Sequence, residues 1–270
     1  MIPFDFHMHT CFCDGTDTPT DMAASAFALG FTRIGFSGHA TMSFESFSMS
    51  RTGAAAYRAE IGALRKTYEG RMTVLCGIEK DYFGEEPEDL YDYVIGSVHY
   101  LPSPEGFRAL DESPEETSKT IAEVFGGDAD AFAEAYFSLE ARLFETVRAD
   151  VIGHFDLITK FEERVPLLHP DSPRSQNAWR EAVEALIPYG KPFEINTGAI
   201  SRGWRTTPYP AKEILDFLKE KGGHILLSSD SHRRETIGYG FTEARELALS
   251  CGFRTVLIPE GGGRLTEMPL

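Results

Sequence analysis

Cysteine is scarce: four residues in 270, at positions 11, 13, 76 and 251. They make neither a disulfide framework nor a paired CxxC zinc motif. A reducing cytoplasm is the expected compartment. Long apolar runs are missing too. The longest stretch without Asp, Glu, Lys or Arg is 93–104, 12 residues, against the ~20 needed to span a membrane. The opening Met1-Ile2-Pro3-Phe4-Asp5 lacks the basic and apolar segments of a secretion signal. Positive charge is in short supply, with 26 Lys and Arg against 42 Asp and Glu and a formal net charge of −16. A chain built to coat nucleic acid would carry a basic face, so nucleic acid is not an expected partner. No GxGxxG or GxxxxGK[ST] follows a strand-like run, which removes the common nucleotide folds. Repeats and low-complexity tracts are also missing.

What remains is an ordinary globular composition, 42% apolar, which excludes intrinsic disorder. A barrel-type domain can reach about 250 residues, so residues 1–270 are expected to form one domain. Short β-branched or aromatic runs occur at 2–6, 33–36, 72–77, 93–97, 150–153, 192–195 and 224–227, with a weaker one at 255–258. Helical patterns separate them. Thr18-Pro19-Thr20-Asp21 and Ser113-Pro114-Glu115-Glu116 each read as a helix start with a capping residue, Pro and then an acid. Phe132, Tyr136, Leu139, Leu143 and Val147 mark one apolar stripe. Ile214, Leu215 and Leu218 mark another, stopped by Gly222-Gly223. Repeated βα units give a parallel α/β sheet, and seven or eight of them close naturally into a barrel.

Chemistry concentrates at the strand ends. In order they read His7-Met8-His9 with Asp14 beyond, Gly38-His39, Ile78-Glu79, Ser97-Val98-His99, Gly153-His154, Glu194-Ile195-Asn196 and Ser229-Asp230-Ser231-His232. Six of the eight His therefore sit at C-terminal strand ends, which a barrel gathers on one face. In His7-Met8-His9, strand alternation puts both imidazoles on one side. Imidazole and carboxylate together suit Zn, Mn or Fe. The candidate ligands are His7, His9, Asp14, His39, Glu79, His99, His154, Asp230 and His232. Nine donors exceed the needs of one ion and suit two or three sharing a carboxylate. His169, in a Pro-rich loop, and His224, at a strand start, stand outside this set. Cys11 and Cys13 lie beside it, but oxygen and nitrogen donors already suffice.

The ordered series His7-x-His9, Asp14, Gly38-His39, Glu79, Ser97-x-His99, Gly153-His154 and Ser229-Asp230-x-His232 resembles the motifs of the PHP (polymerase and histidinol phosphatase) superfamily. The resemblance runs from Asp5 to about Gly238. It implies a distorted (βα)7 TIM-like barrel with three divalent metal ions at the C-terminal strand ends. It places the first ion on His7, His9, Glu79 and Asp230. The second would take Glu79, His99 and His154, and the third Asp14, His39 and His232. Glu79 would bridge the first two, and Glu79, Asp230 and His232 are the candidates for direct participation in catalysis. Within the superfamily the chain looks most like the PHP-type histidinol-phosphatase family, through Glu79-Lys80-Asp81-Tyr82-Phe83, Gly153-His154-Phe155-Asp156 and Glu194-Ile195-Asn196-Thr197. That branch often has Asn-Thr-Ser-Gly-Leu-Arg after its sixth strand, with the Arg on phosphate. Here residues 196–205 read NTGAISRGWR, so Arg202 or Arg205 takes that role.

The expected reaction is hydrolysis of a small phosphomonoester, L-histidinol phosphate, by a metal-bound hydroxide. Three divalent ions on three carboxylates leave the site about +3 inside an acidic molecule, which draws in a phosphate dianion. Arg202, Arg205 and Lys160 are the candidate phosphate ligands. Asp81 and Glu162 are candidates for the substrate's amine. Other readings are a PHP phosphoesterase acting on another small phosphoester or a nucleotide 3′ end, an amidohydrolase barrel, and a metal-binding module without turnover. The amidohydrolase reading leaves Glu79, His99 and the Asp14, His39 and His232 trio unused.

Overall fold

A computed structural model of the chain describes residues 2–270. The strands in chain order are β1 (Phe4–Asp5), β2 (Arg33–Phe36), β3 (Thr73–Asp81), β4 (Tyr93–Ser97), β5 (Tyr100–Ser103), β6 (Gly106–Ala109), β7 (Val151–Ile152), β8 (Pro192–Asn196), β9 (His224–Ser228), β10 (Thr255–Gly261) and β11 (Arg264–Pro269). The helices are α1 (Pro19–Ala28), α2 (Arg51–Thr67), α3 (Pro114–Val124), α4 (Ala129–Glu140), α5 (Pro173–Leu186), α6 (Gly198–Ser201), α7 (Lys212–Glu220) and α8 (Phe241–Ser250). Their starts follow from local chemistry. Thr18, Ser50, Ser113, Asp128 and Ser172 each accept a hydrogen bond from the backbone N–H three residues on, and Pro opens α1, α3 and α5. None of the helices among the described residues is long and apolar enough to cross a membrane.

Strands β1, β2, β3, β4, β7, β8 and β9 form one parallel sheet in that spatial order. The sheet is a nearly closed, distorted (βα)7 barrel. The seam between β9 and β1 closes just past the strand ends, where His9 N–H donates to Ser231 O (2.8 Å) and Ser231 N–H to His7 O (3.2 Å). Asp5, buried in β1, latches the same seam by accepting from Ser229 Oγ, Ser229 N–H (3.2 Å) and Gly238 N–H (3.2 Å). Burial pushes its carboxyl up to about 6.

Inside the barrel, the Tyr93 ring fills space left by two glycines. A Cβ on Gly35 would stand 2.3 Å from Tyr93 Oη, and one on Gly77 would stand 2.2 Å from the ring. The hydroxyl reaches Phe6 O (2.5 Å) and Phe36 O (3.1 Å), so the ring ties two strand ends together. Two expectations are corrected. The run at 255–258 is no eighth barrel strand: it lies in β10, which pairs antiparallel with β11. This hairpin packs under the N-terminal strand ends, burying Val256 and Ile258. The stripe ending at Val147 does not make one helix, since α4 stops at Glu140. Leu143 and Val147 still reach the core through a short 3-10 turn, and Leu143 seats against the gap at Gly96.

Candidate active site

The barrel gathers all nine predicted donors at its C-terminal end. Glu79 is the centre. Its Oε2 lies 3.3 Å from His7 Nε2, 3.4 Å from His9 Nε2 and 3.1 Å from His39 Nδ1. Its Oε1 lies 2.9 Å from His154 Nε2 and 3.5 Å from His99 Nε2. Asp230 Oδ1 faces His9 Nε2 at 3.4 Å and His7 Nε2 at 3.8 Å. Nearer the surface, Asp14 meets His232 Nε2 (3.1 Å), His9 Nδ1 (3.4 Å) and His39 Nε2 (3.7 Å). Three groups of donor atoms lie close enough to hold an ion: His7, His9 and Asp230; Glu79, His99 and His154; and Asp14, His9, His39 and His232.

The donor set fits divalent metal ions better than it fits itself. Burial works against charge on His7, yet the carboxylates of Glu194, Glu79 and Asp230 outweigh it and push the imidazole well above its ordinary pKa. His9 is raised in the same way by Asp14 and Asp230. Burial would also raise Glu79, but His7, His99 and His39 pull it well below the carboxylate range. Two protonated imidazoles cannot coexist here, because His7 Nε2 and His9 Nε2 stand 3.1 Å apart and two N–H groups cannot face each other at that distance. A cation between lone pairs resolves the conflict. Asp230 Oδ1 and His154 Nδ1 are buried without a hydrogen-bond partner, and Oδ1 points into this cluster. Asp230 also holds a left-handed backbone angle (φ 49°), a strained conformation typical of sites.

A second layer fixes the ring orientations, and the sequence pattern assigned none of its members this role. His7 Nδ1 lies 2.6 Å from buried Glu194, which also accepts from His154 N–H (3.0 Å), Asn196 Nδ2 (2.8 Å) and Ser228 Oγ. Ser97 Oγ donates to Glu79 (2.8 Å). Such partners fix tautomer and ligand basicity. The available signal was a carboxylate inside an apolar strand, which holds for Glu194 and for Asp5 alike. Asp81, read as a partner for substrate, belongs to this layer instead. It is buried and accepts from His99 N–H (2.6 Å) and Phe83 N–H (2.8 Å). Cys13 Sγ lies 3.6 Å from His9 Nδ1, while Cys11 is exposed. His169 and His224 stay on the surface.

A pocket of about 500 Å3 opens above the donors. Arg202 and Lys160 both line it. Arg202 donates to Asp230 Oδ2 (2.8 Å), and Gly198 allows this approach, since a Cβ there would stand 2.6 Å from that oxygen. Lys160 Nζ donates to Asp111 Oδ2 (2.9 Å) and holds that carboxylate below its ordinary range against the opposing effect of burial. Arg205 is a correction. It is buried outside the pocket, donating to Thr159 O and Thr207 O (both 3.2 Å) with its guanidinium 4.5 Å from the Tyr209 ring centre. Arg205 lies three positions beyond Arg202, and Trp204 and Arg205 N–H donate back to Ala199 O in the turn that ends α6, which sends Arg205 away from the pocket. Glu162 is corrected too. It accepts from Leu167 and Leu168 N–H (2.8 and 3.0 Å) and does not reach the pocket. The acids on the pocket wall are Glu45, Asp111 and Glu112, beside Phe47 and Tyr100.

The PHP domain family matches residues 5–198. The chain belongs to the PHP domain family. It is 30% identical over 267 residues to a Deinococcus radiodurans protein named "Probable histidinol-phosphatase", covering 93% of this chain and 95% of that one. It is 25% identical over 260 residues to the histidinol-phosphatase of Bacillus subtilis, covering 88% and 96%. Among solved structures, the PHP barrel superposes on the histidinol phosphate phosphatase of Lactococcus lactis, a complex with zinc, L-histidinol and phosphate. The TM-score is 0.72 at 21% identity, with 98% of each chain covered. A Listeria monocytogenes structure gives 0.79 at 24% identity, covering 89% and 99%. These likenesses agree with the barrel topology. The PHP match ends after β8, so Asp230 and His232 come from the segment that follows β9, beyond the match.

Proposed function

We propose that the chain is a metal-dependent phosphomonoesterase that hydrolyses L-histidinol phosphate to L-histidinol and phosphate. One observation carries the reading: a single pocket joins a donor-rich floor to a cationic wall and an acidic, aromatic rim. A phosphate suits the floor with Arg202 and Lys160. The alcohol, bearing an ammonium and an imidazole, suits Glu45, Asp111, Glu112, Phe47 and Tyr100. The named activity of the Deinococcus and Bacillus relatives supports the same substrate.

Three ions would be held as the family motif implies: His7, His9, Glu79 and Asp230; Glu79, His99 and His154; Asp14, His39 and His232. Zn, Mn and Fe all suit these donors. When bound, such ions supply Lewis acidity and a water acidic enough to attack at neutral pH. The chain's own groups do the rest. Arg202 turns its planar fork from Asp230 to the phosphate oxygens, where it meets charge developing in the transition state. That movement frees Asp230 Oδ2 to take the proton lost by the attacking water. Glu79, shared between two donor groups, keeps them at fixed separation. His232, partly exposed and stacked 4.0 Å from His9, stands at the mouth where the alcohol departs. The test is kcat/KM on L-histidinol phosphate beside sugar phosphates, nucleotides and p-nitrophenyl phosphate, with Mn added. A preference of several orders of magnitude is expected. Comparable low rates across the panel would sink the substrate and leave a phosphoesterase of other specificity.

A further inference from the structure

Glu45, Asp111 and Glu112 stand on the pocket wall outside the donor set, and they differ in what already answers their charge. Asp111 is matched: Lys160 Nζ donates to its Oδ2 (2.9 Å) and to its backbone carbonyl (2.7 Å). Glu112 is exposed, so water answers its charge. Glu45 is half-buried, and among the described residues no Lys, Arg or His nitrogen lies within 4.0 Å of its carboxylate.

The segment that bears Glu45 is pinned on both sides. Before it, Phe44 stacks on Phe107 of β6 (ring centres 4.4 Å apart) and meets Tyr100 of β5 edge to face (5.1 Å). After it, the rings of Phe47 and His39 meet edge to face (4.9 Å). Ser48 Oγ closes the turn, donating to Glu45 O (3.0 Å) and accepting from Met42 N–H (3.2 Å). Thr41 and Ser43 hydroxyls donate to Glu86 (2.9 Å) and Glu85 (2.7 Å). These contacts hold Glu45 between the metal-donor side of the pocket, at His39, and the aromatic β5–β6 hairpin. Burial, and then the nearby Glu45 carboxylate, push the Tyr100 phenol above its ordinary value. A half-buried carboxylate with no counter-ion adds little to stability. A cation that reaches it makes a charge-assisted hydrogen bond, one of the stronger contacts available.

We propose that Glu45 selects the substrate by its leaving alcohol, its carboxylate accepting the alcohol's ammonium while the phosphate sits on the donor floor. The inference rests on the phosphomonoesterase reading above and narrows it to esters whose alcohol carries a cation. Asp111, already held by Lys160, and Glu112, in water, contribute less.

The test compares L-histidinol phosphate with imidazolylpropyl phosphate, the same ester without the amine, on the metal-loaded enzyme. The wild type should prefer the amine-bearing ester by about 10- to 100-fold in kcat/KM, the usual worth of a hydrogen bond between charged groups. Glu45→Gln keeps the shape and removes the charge. The preference should fall close to one, through KM more than kcat. Glu45→Asp should keep part of it, and Glu112→Gln should change it less than Glu45→Gln does. Calorimetry with L-histidinol gives a second readout, since its Kd should weaken by a similar factor in Glu45→Gln. A preference that survives Glu45→Gln, or that is lost in Glu112→Gln instead, overturns the proposal. So does a wild type that treats the two esters alike while still preferring both to sugar phosphates, which leaves the wider reading standing. Failure of that reading looks different: the wild type then hydrolyses sugar phosphates or p-nitrophenyl phosphate as fast as L-histidinol phosphate, and this inference falls with it.

Discussion

At the N-terminal ends of the strands, each charge meets an opposite one. Arg33 meets Glu260 (2.7 Å), Lys191 meets Asp150 (3.0 Å) and Arg65 meets Asp92. At the C-terminal ends, Glu79 alone faces five imidazoles, and His7 and His9 turn nitrogen toward nitrogen. The same strands support both ends. One end is a satisfied surface plugged by the β10–β11 hairpin. The other is a buried set of donors that cannot satisfy one another. Exposed pairs are each worth about 0–1 kcal/mol, so the lower end holds through the apolar plug more than through its charges. The upper end is costly to bury unless a cation occupies it. Stability and function are thus separated along the barrel axis, and substitutions at the two ends should affect different measurements.

The largest effect should follow Glu79→Gln. Losing the shared carboxylate should lower kcat/KM on the order of 10^3-fold or more, since bound metal supplies several kcal/mol of transition-state stabilisation. Metal content, read by elemental analysis, should fall with it. Full metal content and activity in this variant would break the comparison at its centre. Next comes the pair Arg202→Ala and Arg205→Ala. The first should cost roughly 10^2- to 10^3-fold in kcat/KM, the usual loss for one preorganised donor. The second should leave kcat/KM unchanged, because Arg205 points away from the pocket. Equal kinetics for the two variants would remove Arg202 as the phosphate ligand.

At the lower end, Ile258→Ala should destabilise by about 2–5 kcal/mol through the cavity it leaves. Urea unfolding would measure this, and kcat/KM of the folded fraction should not change. The smallest effect belongs to neither end. Glu140, buried in α4 with Tyr136 Oη donating to it (2.8 Å), is pushed well above its ordinary value of 4.5 by burial. A raised carboxyl keeps its proton in the folded state after the unfolded chain has lost it. Its contribution is therefore full below about pH 4.5 and is lost as pH rises toward the folded pKa. Glu140→Gln should flatten that part of the stability-against-pH curve. An unchanged slope would mean that the buried carboxyl is ionised.

Strand boundaries show how local the legible information was. Segments 33–36 and 93–97 coincide with β2 and β4, because period-two alternation and β-branched residues are local properties. The same alternation placed His7 and His9 on one side of the extended segment that follows β1. The donors could be read because in a parallel barrel every strand end points the same way, so position in the chain already implies position in space. The helix starts at Thr18 and Ser113 were legible for the same reason, a cap being a contact between near neighbours.

Contacts between distant segments were not legible. Nothing near Asp81 announces that it will hold His99 N–H, and nothing near Glu194 announces His7, 187 positions away. The turn after α6 decides that Arg202 meets Asp230 while Arg205 meets Thr159, and that turn depends on Ala199 carbonyl contacts and on Gly198 giving way to Asp230. The sequence by itself placed the seven barrel strands and the imidazoles and carboxylates at their ends, since each depends on residues a few positions apart. Only the tertiary structure decided that one carboxylate is shared by five rings and which arginine reaches the pocket. Those outcomes depend on register and side-chain direction between segments that meet only when the seam from β9 to β1 closes.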